Sequence, residues 1–157
     1  MFTGLTREIC AQAWEIVDAG LAAAAKQGLA AGYQGNLVVL DPVARDGSIL
    51  FTAHAGDAND HTLEYAMGKA RLALRTGRDT STLREGYAHL YAPDDIKYPG
   101  GIVRDGMVVA FSGIQGELDD MISEWFVATV RGICRLGFNG PDGGDAQPTP
   151  YLGRERQ

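Results

Sequence analysis

The sequence predicts an α+β fold: a small antiparallel sheet of four to five strands, packed by long helices near both ends of the chain. Three observations carry that expectation. Asp46-Gly47 and Asp105-Gly106 each lie between short apolar runs, a strong local signal for a β-hairpin. Apolar residues recur at helical spacing from Leu5 to Ala24 and again from Leu118 to Ile133. A helical pattern also follows each hairpin, so the order reads α-ββ-α(α)-ββ-α. Each hairpin alone is marginal and needs helical cover.

The elements follow in order. Leu5, Ile9, Ala13, Val17, Leu21 and Ala24 predict an amphipathic helix over about 5–27, capped by Thr3 or Thr6 and ended near Gly28. Leu37 to Leu40 is apolar on both faces, as a buried central strand would be. Residues 42–47 turn the chain and 48–53 return it. Asn59 offers an N-cap for a second helix whose stripe is Leu63, Met67, Ala70 and Leu74 and whose stop is Gly77. Residues 80–90 read as a further short helix and 92–101 as a loop. Strands follow at about 102–104 and 107–113. The last helix, about 117–136, carries acids in its first turn and Arg131 and Arg135 near its end, as the helix dipole favours.

At 157 residues the chain is one domain by length, over 1–138, with a Gly/Pro-rich flexible tail expected at 139–157. The net charge is −6 and there is no basic cluster, so nucleic acid is not an expected partner. The N-terminal residues lack a basic start followed by an apolar run, and no stretch approaches the roughly 18 apolar residues of a membrane span. A cytoplasmic protein is expected, with Cys10 and Cys134 as buried core thiols.

These residues together resemble the GlcG/HbpS-like family, which includes the C-terminal domains of PduO-type proteins. The resemblance rests on Asn36 to Asp41, Asp46-Gly47, Phe51 with Gly56-Asp57-Ala58, Lys69-Ala70, Gly77-Arg78-x-Thr80-Ser81-x-Leu83, and the run from Pro99-Gly100-Gly101 to Asp120. It implies a profilin-like α-β-α fold, homo-oligomers (dimers, sometimes octamers), and haem binding in some members. The chain departs from the pattern at three places. His54-Ala55-Gly56-Asp57-Ala58 stands where Arg-Met-Asp-Gly-Ala is usual. The proline and leucine that usually follow Pro-Gly-Gly are missing, and Asp79 replaces a proline. All three fall on expected pocket-lining loops.

His61, Tyr65 and Lys69 are spaced four apart and share one helix face, offset from the apolar stripe. With His54 they suggest a pocket near the N-terminus of the second helix. Imidazole and phenolate both ligate haem iron, so His54 and His61 are candidate metal ligands, for haem iron or, with Asp57, for a divalent ion. Lys69 and Arg78 could anchor a carboxylate. Gly100, Gly101 and Glu117 complete the expected ligand-binding set. The plain alternative is a solvated helix face, with Lys69 in a salt bridge to Glu64 or bonded to a sheet-end carbonyl.

Three functions remain open. The first is a haem-binding or haem-handling protein. The second is a small enzyme without an organic cofactor, of isomerase, lyase or hydrolase type, acting on a compact organic acid or polar metabolite, with His54 and Lys69 as its catalytic pair. The third is a non-catalytic oligomeric accessory module with Trp14 and Trp125 at interfaces, their ordinary role being core packing.

Overall fold

The computed structural model describes residues 4–57 and 59–139. Beyond Asn139, the expected tail lies outside the described residues, as does Ala58. Helix α1 (Arg7–Lys26) is capped by Thr6, whose hydroxyl accepts from the Ile9 amide. Strands β1 (Gly35–Leu40) and β2 (Ile49–Ala55) form the first hairpin. Helix α2 (Asp60–Thr76) starts at Asn59, whose side chain accepts from the His61 and Thr62 amides, and ends at left-handed Gly77. The short helix α3 (Thr80–Gly86) leads through a 3₁₀ turn, Ala88–Leu90, into a long loop. Strands β3 (Gly101–Arg104) and β4 (Met107–Ser112) form the second hairpin, and α4 (Gly116–Phe138) closes the chain.

The four strands run antiparallel in the order β2-β1-β4-β3. The central strands β1 and β4 are buried on both faces, which explains why Leu37 to Leu40 reads as a continuous apolar run. Leu37, Val39, Val109 and Phe111 face α1 and α4, where Leu21, Ile122, Phe126 and Val130 meet them. Val38, Leu40, Val108 and Ala110 face α2. The molecule is thus an α-β-α sandwich with unequal layers, two long helices on one side and one on the other.

The apolar line of α2 differs from the expected stripe. Ala66, Ala70 and Ala73 are fully buried, whereas Leu63, Met67 and Leu74 flank them and are partly exposed. Small residues let α2 lie close to the sheet, and the larger ones fill the margins. That close approach also buries Lys69, which periodicity alone left off the core. Trp14 is partly buried and packs against the core, its ring 6.2 Å from that of Phe111. Trp125 lies over Gly20 and stays 36% exposed. Cys10 and Cys134 are free and buried, and burial pushes their thiols up to about 12 and about 11. No helix among the described residues is long and apolar enough to cross a membrane.

Candidate functional site

Lys69 is 1% exposed and its ammonium lies between two elements. It donates to Asp119 Oδ2 at 3.0 Å and to the Phe111 carbonyl, at the end of β4, at 3.0 Å. Asp119, in the first turn of α4, accepts at its other oxygen from the Ile114 amide, also at 3.0 Å. Burial lowers the Lys69 pKa and raises that of Asp119, while their mutual attraction opposes both shifts. The pair therefore ties α2, β4 and α4 together at one point. The sheet-end carbonyl that the sequence offered as a partner for Lys69 is present. Glu64 is exposed and takes no part.

The turn before β3 is shaped around this pair. At Gly100 (φ +129°) a β-carbon would come 2.8 Å from Lys69 Nζ and 2.5 Å from the Phe111 oxygen, and at Gly101 it would come 2.8 Å from the Lys69 oxygen. Ser123 Oγ donates to the Gly100 carbonyl at 2.6 Å, and the Gly101 amide donates to Thr80 Oγ1 at 3.0 Å. Both glycines were expected to bind ligand; they pack against Lys69, and neither is among the lining residues of the two cavities described next.

Above the ion pair opens a cavity of about 380 Å³, between the first half of α2, the end of β4 and the start of α4. His61 and Tyr65 stand on one wall, their rings edge to face with centroids 4.6 Å apart. Tyr98, from the loop before β3, faces Tyr65 at 6.4 Å. Ser112, Gly113, Ile114 and Gly116 form the opposite side, with Lys69 and Asp119 at the base. Gly113 is obligatory, because a β-carbon there would come 2.3 Å from the Gly35 α-carbon. A second, more polar cavity of about 350 Å³ lies beside the first and shares Thr62 with it; Tyr33, Asp57 and Asn59 are among its lining residues.

The structure thus brings His61, Tyr65 and Lys69 into one cavity and sends the other expected residues elsewhere. His54 is exposed on the edge strand β2, its Nδ1 2.8 Å from the Gly56 oxygen, and lines neither cavity. Asp57 lines only the second cavity. Among the described residues, no group of three or more His, Cys, Asp or Glu is placed to hold a metal ion. His54, Asp57 and His61 therefore do not form the divalent site their spacing allowed. Arg78 is exposed, its guanidinium 3.9 Å from the Tyr87 ring centre. Glu117 is exposed beside the cavity, without lining it. Asp79, expected on a pocket loop, instead accepts from the Val103 amide at 3.0 Å and from Arg104 at 2.7 Å, covering the edge strand β3.

Asp119, Ser112 and Tyr98 were not singled out from sequence as site residues. A signal for Asp119 existed: it sits three and seven residues before Ile122 and Phe126, on the buried stripe of α4. A charge in such a position needs a buried partner. Nothing in the sequence marked Tyr98, because a loop tyrosine carries no periodicity.

The fold is shared with solved structures of low sequence identity. A double mutant of HbpS from Streptomyces reticuli is 24% identical with a TM-score of 0.59, over 82% of this chain and 88% of that one. The haem complex of PduOC is 20% identical with a TM-score of 0.58, over 80% and 94% of the two chains. ORFY from Klebsiella pneumoniae is 17% identical with a TM-score of 0.56, over 75% and 87%. No curated protein is significantly similar to this sequence. The family model for haem degrading protein HbpS-like matches residues 10–123, most of the described domain, and the chain belongs to that HbpS-like family.

Proposed function

We propose that this protein binds haem, or a closely related tetrapyrrole, at the mouth of the His61–Tyr65 cavity. The observation that carries the reading is the His61–Tyr65 pair itself, an imidazole and a phenol in edge contact on the wall of an open cavity. Both are side-chain types that ligate haem iron. Tyr98, Ile114 and the glycine-lined side give the cavity a largely apolar lining, as the face of a macrocycle requires. These residues fit the group. The cavity lies near the small end of ligand pockets, roughly 300–1,000 Å³, so it takes one edge of a flat ligand and leaves the rest outside. When bound, haem would supply an iron centre that such side chains could ligate. In this reading His61 binds, Tyr65 orients its ring, and the Lys69–Asp119 pair holds the base of the cavity rigid. Family membership and the PduOC haem complex support the reading. His54, the base assigned in the enzyme reading, stands outside the cavity, so that alternative gains no support from the geometry.

A haemin titration followed by visible spectroscopy tests the proposal. Wild type and His54→Ala give a saturable Soret shift near one equivalent, whereas His61→Ala or Tyr65→Phe changes the spectrum or weakens binding. A featureless titration that does not saturate overturns it, as does loss of binding in His54→Ala alone.

A further inference from the structure

The inner end of the same cavity is built differently from its mouth. Ser112 is 8% exposed and lines the cavity, and its hydroxyl has no partner among the described residues. An ammonium carries three donors. Lys69 spends two, on Asp119 and the Phe111 carbonyl, which leaves one proton on a fully buried cavity residue. Gly116, the first residue of α4, lines the same end, and the N-cap Gln115 makes no side-chain cap hydrogen bond. The first-turn amides of a 23-residue helix therefore keep their hydrogen-bonding capacity at the positive end of its dipole. Asp119 is the carboxylate that lines this end, and both its oxygens are already taken, by Lys69 and by the Ile114 amide; Glu117 stands exposed beside the cavity without lining it.

The geometry points to a carboxylate-binding subsite at this inner end, formed by the Ser112 hydroxyl, the remaining Lys69 proton and the opening amides of α4. Ser112, Lys69 and Gly116 all line that end, and the lining carboxylate, Asp119, is already paired with Lys69, so a singly charged, planar acceptor fits. The carboxylate can belong to a free compact acid or to a porphyrin side chain. The subsite does not depend on haem.

Propionate, succinate and neutral propionamide serve as probes for the full chain, by calorimetry and by the amide resonances of Gly116, Glu117 and Leu118. Propionate binds saturably and moves those resonances. Propionamide binds about tenfold or more weakly, and Ser112→Ala weakens propionate by about tenfold, the scale of one hydrogen bond to a charged group. The amide shifts in wild type stand even if that variant folds poorly. Haemin that outbinds its dimethyl ester and competes with propionate assigns the carboxylate to a porphyrin. Haemin and ester that bind alike, with propionate bound, assign it to a free acid. Resonances unmoved by propionate and succinate, or a folded Ser112→Ala that binds propionate as tightly as wild type, overturn the subsite while leaving the haem reading intact. Propionate binding without haemin binding overturns only the haem reading.

Discussion

The two faces of the sheet are made of different materials. Towards α1 and α4 the contacts are large and apolar: Phe111, Phe126, Ile122, Leu21 and Leu37 are each fully buried. Towards α2 the helix meets the sheet through alanines, and a buried ion pair, Lys69–Asp119, closes the end of that layer. One face can tolerate only changes of volume. The other carries charge, open space and hydrogen-bonding groups, and the cavity lies there. The large apolar packing thus lies on one side of the sheet, and the buried ion pair and the cavity lie on the other.

Four substitutions or conditions sharpen or break that contrast. The largest loss is expected on the apolar face. Phe126→Ala removes a fully buried ring between α4 and the sheet and should cost about 4 kcal/mol. Urea denaturation measures it, and a loss below about 1 kcal/mol would mean that this face is not the main store of stability.

Next comes Lys69→Met, at about 3 kcal/mol, because it strands a buried carboxylate. The double variant Lys69→Met/Asp119→Leu should recover most of the loss. If it does not, the pair is more than a mutual neutraliser. The deficit also has a pH signature. Burial holds the Asp119 carboxyl above its ordinary 3.8, and removing the ammonium raises it further. The folded state then keeps a proton that the unfolded chain has lost, so stability falls as pH rises through the raised value. The single variant should therefore lie closer to wild type at pH 4 than at pH 7.

Gly100→Ala should follow at about 2 kcal/mol, since φ is +129° and the added carbon meets Lys69 Nζ and the Phe111 oxygen. A shift of the denaturation midpoint without a change in its slope would place the effect in the folded state.

The smallest effect at ordinary pH belongs to the thiols. Unfolded cysteines ionise near 9.0, while burial holds Cys10 to about 12 and Cys134 to about 11. Above pH 9 the unfolded chain binds fewer protons than the folded one, so stability falls with rising pH. Cys10→Ala should flatten that fall, and an unchanged slope would contradict the burial of this thiol.

Much of this architecture was legible in the chain. Thr6, Asn59 and Gly77 mark helix ends through local hydrogen bonds and backbone freedom, which neighbouring residues alone decide. Asp105-Gly106 turns the second hairpin with both residues at positive φ, as that pair favours. The face shared by His61, Tyr65 and Lys69 follows from helical spacing, and it became one wall of the cavity. His54 and Arg78 were legible only as chemistry. Where their side chains point depends on which strand is an edge and where α2 ends, and neither fact is local.

By itself the sequence determined the order of elements, their approximate ends and that Leu37 to Leu40 is buried on both faces, because caps, turns and apolar periodicity act over a few residues. Only the tertiary structure decided that Lys69, fifty positions from Asp119, would be its partner. It likewise brought Tyr98 from a loop to face Tyr65, and set Gly116, the first residue of α4, in the same cavity lining as Ser112. Those meetings depend on how closely an alanine-faced helix approaches the sheet and where a long loop crosses its end. Such distances come from the packing of the whole core, and no short stretch of chain contains them.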